Sequence, residues 1–123
     1  MKLGNIEVNF SFTNADDIEK LEKAIAKVKE KTLENKKQEM SLSEAIRKEC
    51  KVIDEFFDAV FGEGISMQIF EGRVDLQEHT KMFIEITNEK IRQTKSMQDF
   101  YNGLEHKYMP NREQRRTNKY RGR

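Results

Sequence analysis

Residues 41–64 read SLSEAIRKECKVIDEFFDAVFGEG, and this stretch decides the fold. Ser41 stands three residues before Glu44, the spacing at which a serine hydroxyl caps a helix start and the glutamate reaches back to it. Leu42, Ala45, Ile46, Val52, Ile53, Phe56, Phe57, Val60 and Phe61 then recur at three- and four-residue steps. They form a wide apolar face, the signature of a helix at the centre of a core. Gly62 ends it, because glycine tolerates the positive φ that a terminating residue adopts. Beyond Glu63-Gly64, the run Ile65, Met67, Ile69 and Phe70 fits one or two irregular helical turns, closed by Gly72.

Working upstream, Asn14 is a candidate cap with Asp16 and Asp17 in the first turn, where carboxylates offset the positive end of the helix dipole. Ile18, Leu21, Ile25, Val28 and Leu33 make one thin stripe on a helix otherwise covered by Lys and Glu. Glu19 and Lys23 stand four apart and support it. The apolar signal vanishes from Glu34 to Glu39, which marks a polar connector. Ahead of this helix, Ile6, Val8, Phe10 and Phe12 alternate with Glu7, Asn9 and Ser11, the period of two expected of β structure over residues 1–13. Lys2-Leu3, the Gly4-Asn5 turn and the following strand make a short hairpin. Such a ribbon is marginal alone, so its apolar face must lie on a helix or meet another chain.

Downstream, Asp75 caps a last long helix, with Glu78 three residues on. Leu76, Thr80, Phe83, Ile84, Thr87, Ile91, Thr94, Met97, Tyr101 and Leu104 carry its apolar face toward Tyr108, with an interruption or bend expected at Gly103. Its later half is thinly apolar and suits projection from the body or packing on another subunit. The predicted fold is therefore mainly α: a short N-terminal β-hairpin, about three helices plus a short helical turn, and a flexible basic C-terminal arm.

Charge divides the 123 residues unevenly. Residues 111–123, NREQRRTNKYRGR, hold six Lys/Arg and one Glu, or +5, which leaves −4 on the first 110 residues for a net charge of +1. A segment so polar buries too little apolar surface to offset its ordering entropy. Pro110 disfavours helix at Met109. The reading is a folded domain over 1–110 and a basic flexible tail over 111–123. In that tail Arg112, Arg115, Arg116, Lys119, Arg121 and Arg123 could neutralise phosphates, with Tyr120 to stack on a base. The acidic body argues against nucleic acid as the main partner.

Charged residues make up 37% of the chain and hydrophobic ones 36%, so the core is lean and most helix faces are solvated. No apolar run approaches the ~20 residues of a membrane span. The start MKLGNIEVNF lacks an apolar signal-peptide region, and a single cysteine excludes an internal disulfide. Both favour the cytoplasm. Catalytic chemistry is hard to assemble from these residues. His79 and His106 have no neighbouring cysteine and no helical metal-site spacing, so no metal or cofactor is expected. His79 reads as a surface helix residue. Cys50 reads as an inert, partly buried thiol. Asp54, Glu55 and Asp58 read as the polar face of an amphipathic helix, and Gly62-Glu63-Gly64 lacks the Lys-Ser/Thr of a phosphate loop. A non-enzymatic role is the expectation.

The string Phe56-Phe57-Asp58-Ala59-Val60-Phe61-Gly62-Glu63-Gly64, followed by Phe70, resembles small proteins of tailed bacteriophages that infect Gram-positive hosts, the tail assembly chaperones and their relatives. The order of a short β start, a charged helix, an aromatic-glycine segment and a long helix is similar, and Asn111-Arg112 to Arg116 looks like the ends of many small phage proteins. The resemblance implies a phage or prophage protein in the host bacterial cytoplasm. It would hold an amphipathic segment of a tape-measure protein while the tail tube assembles, with the tube protein a further possible partner and self-association through the hairpin edge or the last helix. The surface for this is Phe56, Phe57, Phe61, Gly62, Gly64, Ile65, Met67, Ile69 and Phe70, with each apolar side chain either groove or core. Two alternatives stand beside it: a structural component of the tail or virion, and a nucleic-acid-binding accessory protein working through the basic tail.

Overall fold

Three side-chain caps set the boundaries of the long helices. The computed structural model describes residues 1–107, so the Pro110 boundary and the basic arm lie outside the described residues. The Asn14 side chain accepts from the Asp17 N–H at 3.0 Å and opens α1, Ala15–Lys36. The Ser41 hydroxyl accepts from the Glu44 N–H at 3.3 Å and opens α2, Leu42–Phe61. The Asp75 carboxylate accepts from the Glu78 N–H at 2.9 Å and opens the last helix, while the six-residue helix α3, Ile65–Phe70, sits between the two. The last helix, α4, spans Leu76–Lys107 and runs unbroken through Gly103. The described residues are thus mainly helical, with a short N-terminal hairpin and four helices, as the patterning predicts.

The hairpin is shorter than the alternation suggested. Strand β1, Lys2–Leu3, pairs antiparallel with β2, Ile6–Glu7, in the register Lys2 to Glu7 and Leu3 to Ile6. The Val8 N–H donates to the Met1 carbonyl at 2.8 Å, and no further strand follows among the described residues. The period of two survives as burial all the same. Val8 and Phe10 are buried while Asn9 and Ser11 are exposed. An extended chain lies on the helices here without a neighbouring strand, because alternation dictates which side chains face the core and not whether a ladder forms.

The described chain divides into two units, residues 1–87 and the residues from 88 onward. The first unit holds the core: Leu3, Val8, Phe10, Leu21, Ala24, Val28, Val52, Ile53, Phe56, Phe57, Val60, Phe70 and Ile86. Helix α1 packs along α2 through Leu21, Ala24 and Val28, whereas Leu33 is exposed. Polar contacts lace the same pair. Glu49 takes hydrogen bonds from Thr32 and Asn35, both at 3.1 Å, and Lys31 pairs with Glu55. The predicted Glu19–Lys23 pair forms at 3.2 Å. In the second unit the described residues are the remainder of α4, where Arg92 pairs with Glu89 at 2.8 Å.

Candidate functional site

The aromatic-glycine segment forms the corner between α2 and α3. Gly62 has φ of 129° and Gly64 of 86°, values that L side chains rarely adopt, so two glycines turn the chain where two other residues could not. Gly64 has no side chain to cap α3, and Asp58 supplies the missing acceptor: its carboxylate takes the Ser66 N–H at 2.8 Å. The three acidic residues around Phe56-Phe57 therefore do more than face water. Asp58 caps α3, Glu55 pairs with Lys31, and Asp54 reaches across to α4.

The nine residues proposed as a partner surface separate into two sets. Phe56, Phe57 and Phe70 are buried and offer nothing to a partner. Phe57 meets Phe70 edge to face at 5.7 Å and Phe56 at 5.2 Å, and Phe56 meets Phe83 at 4.9 Å. The register of α2 points Phe56 and Phe57 to the same side as Ile53 and Val60, the middle of the core, and Phe70 of α3 closes on them. Phe61, Ile65 and Ile69 are half-buried, and Met67 is 63% exposed. Phe61 leans on Phe10 at 5.0 Å and keeps part of its ring in water. Gly62 and Gly64 are exposed between them. What remains available at the corner is the part-exposed apolar surface of Phe61, Ile65 and Ile69, with the flexible thioether of Met67 exposed on another side of α3. A shallow cleft of about 60 Å³ lies between α1 and α2, lined by Val28, Val52 and Phe56 with Lys27 and Glu55 at its rim. That volume is well below the ~300 Å³ at which pockets for small ligands begin.

A polar cluster lies where the sequence reading placed a surface residue. His79 is fully buried. Its ring stacks on Phe70 with centroids 3.7 Å apart and planes 11° from parallel. Nδ1 lies 2.7 Å from the Asp75 carbonyl and Nε2 lies 2.9 Å from an Asp54 carboxylate oxygen. A carbonyl can only accept, so Nδ1 carries a hydrogen. Nε2 then faces the Asp54 carboxyl. Burial pushes the Asp54 carboxyl up, and Asp58 and Glu55 push the same way, against the pull of His79. The pair ties α2 to the start of α4, with Phe70 of α3 as its floor.

The polarity of His79 argues for the surface, but its position argues for the core. It stands four residues before Phe83 and seven before Ile86, on the buried face of α4. Ile86, not Ile84, is the residue of that pair which enters the core. Cys50 is wholly buried rather than partly so. Burial pushes its thiol up, with Asp54, Asp75 and Glu49 adding to the effect, so the reactive thiolate is disfavoured. Among the described residues no group of three or more His, Cys, Asp or Glu is placed to hold a metal ion. No described helix is long and apolar enough to cross a membrane. The six basic residues of the tail lie outside the described residues.

No curated protein and no solved structure matches this chain. Residues 4–119 match a protein family described as "Family of unknown function (DUF6673)", which takes in both units and nearly the whole sequence. The chain belongs to the DUF6673 family.

Proposed function

We propose that this protein acts without catalysis, as a tail assembly chaperone-like protein of a phage or prophage that holds an amphipathic segment of a tape-measure protein in the bacterial cytoplasm. The observation that carries the reading is the apolar exposure at the α2–α3 corner. Met67 stands 63% exposed and Phe61, Ile65 and Ile69 are half-buried, all within the segment whose letters resemble the phage proteins. Long helical chains with apolar stripes aggregate when bare, and a partner helix laid on a small apolar surface hides part of its stripe. A surface of this size binds weakly, as suits a holder that assembly must displace. The working surface is the exposed Gly62, Gly64 and Met67 with the half-buried Phe61, Ile65 and Ile69. Phe56, Phe57 and Phe70 support it from beneath.

The test is a pull-down from the source cells with the bound chains identified. Recovery of a long helical tape-measure-like chain, lost with Met67→Ser and Ile65→Ser together, supports the reading. A pull-down without such a chain, together with recovery of the protein from purified virions, would replace it with the structural virion component.

A further inference from the structure

The second unit poses a separate problem, independent of the chaperone reading. Its described residues are a stretch of α4 on which Ile91 is 65% exposed, Met97 53%, Phe100 58% and Tyr101 59%. Most helical stability in proteins comes from packing an apolar face against a neighbour rather than from intrinsic propensity. This stretch contains Thr94 and Gly103, both poorer helix formers, so an apolar face left bare leaves its helicity without support. Lys90, Thr94, Met97, Tyr101 and Leu104 recur at steps of four, three, four and three, which places them on one face. Charge is graded along the same stretch. Residues 88–96 hold Lys90, Arg92 and Lys95 against Glu89, whereas residues 97–106 hold Asp99 and Glu105 with no Lys or Arg.

We propose that this face docks against the same face of a second copy of the chain, with the two helices antiparallel. A contact about a two-fold axis must be self-complementary, so one end of the surface must suit the other. Antiparallel pairing meets that condition. In the register that sets Thr94 opposite Tyr101, Ile91 lies opposite Leu104 and Lys90 opposite Glu105, at both ends, with Met97 of each copy at the centre. Parallel pairing in register would put Lys90 against Lys90 and Glu105 against Glu105. Opposite charges fix register and orientation in this way wherever helices pair side by side.

Sedimentation equilibrium of the full chain, up to about 0.5 mM so that even weak pairing is seen, reads the result. The expected result is a reversible dimer. Met97→Ser with Tyr101→Ser should weaken association at least about tenfold, because two apolar contacts are lost from each copy. Lys90→Glu alone and Glu105→Lys alone should each weaken it by about three- to tenfold, and the two together in one chain should restore it. Circular dichroism confirms that each variant keeps the fold. A wild-type chain that stays monomeric throughout overturns the proposal. So does a dimer indifferent to Met97→Ser with Tyr101→Ser, or a double charge variant that is no better than its parents.

Discussion

Residues 1–87 and residues 88–107 both contain apolar stripes at helical spacing, yet one region closes its stripe and the other leaves it in water. The first folds an extended N-terminal segment and three helices onto the start of α4, and even its polar centre, His79 with Asp54 and the Asp75 carbonyl, is hydrogen-bonded. The second is a helix whose aromatic and thioether side chains stand exposed. Periodicity says which face is apolar; only topology says whether the chain itself supplies the cover. A stripe without cover is the better pointer to a partner, since its side chains have no structural employment.

The contrast predicts that equivalent truncations differ greatly in cost. Phe57→Ala should cost about 3–5 kcal/mol of unfolding free energy, read from a urea melt, because the ring lies in the centre of the core and a cavity remains. A cost below about 1 kcal/mol would mean that the first unit is not closed. His79→Ala should cost about 2–4 kcal/mol, for it removes a buried ring and strips the Asp75 carbonyl and Asp54 of a partner. Were His79 the surface residue its polarity suggested, the same change would fall within about 0.5 kcal/mol.

The Asp54 carboxyl gives a pH test of the same centre. Its folded value lies above the ordinary 3.8, chiefly through burial. The folded protein therefore binds this proton more tightly than the unfolded chain does. The contribution is fully present below 3.8 and is lost as pH climbs through the raised value. The difference in unfolding free energy between the wild type and Asp54→Asn should shift against the wild type as pH rises above 3.8. A difference that stays flat as pH rises would mean that burial does not raise the Asp54 carboxyl. The smallest effect belongs to the exposed side chains. Met67→Ser or Met97→Ser should leave unfolding of residues 1–87 within about 0.5 kcal/mol of wild type, the size usual for surface substitutions. Their consequences should appear in partner capture for Met67 and in self-association for Met97.

Much of the architecture could be read from particular residues. Asn14, Ser41 and Asp75 each announce a helix start by local chemistry, and each is found capping the helix it announced. Gly62 and Gly64 mark the corner because few other residues tolerate its backbone. What could not be read was set by tertiary context. Alternation over 6–12 predicted a strand, but a ladder needs a neighbour, which no local pattern supplies. Phe56, Phe57 and Phe70 could be groove or core, and only the placement of α3 and α4 decides for core. His79 and Asp54 lie 25 residues apart in sequence and become partners only when α4 crosses α2.

The near-parallel stack of the His79 imidazole on Phe70 has a spectroscopic consequence. Protons of one ring held over the face of another feel its circulating π electrons and resonate at unusually high field. The chain has two histidines, so its imidazole spectrum should show a shielded line for His79 apart from that of His106. Loss of the shielded line on heating, on adding denaturant or on mixing with another protein would report the parting of α3 from α4 at a single residue, with no label attached.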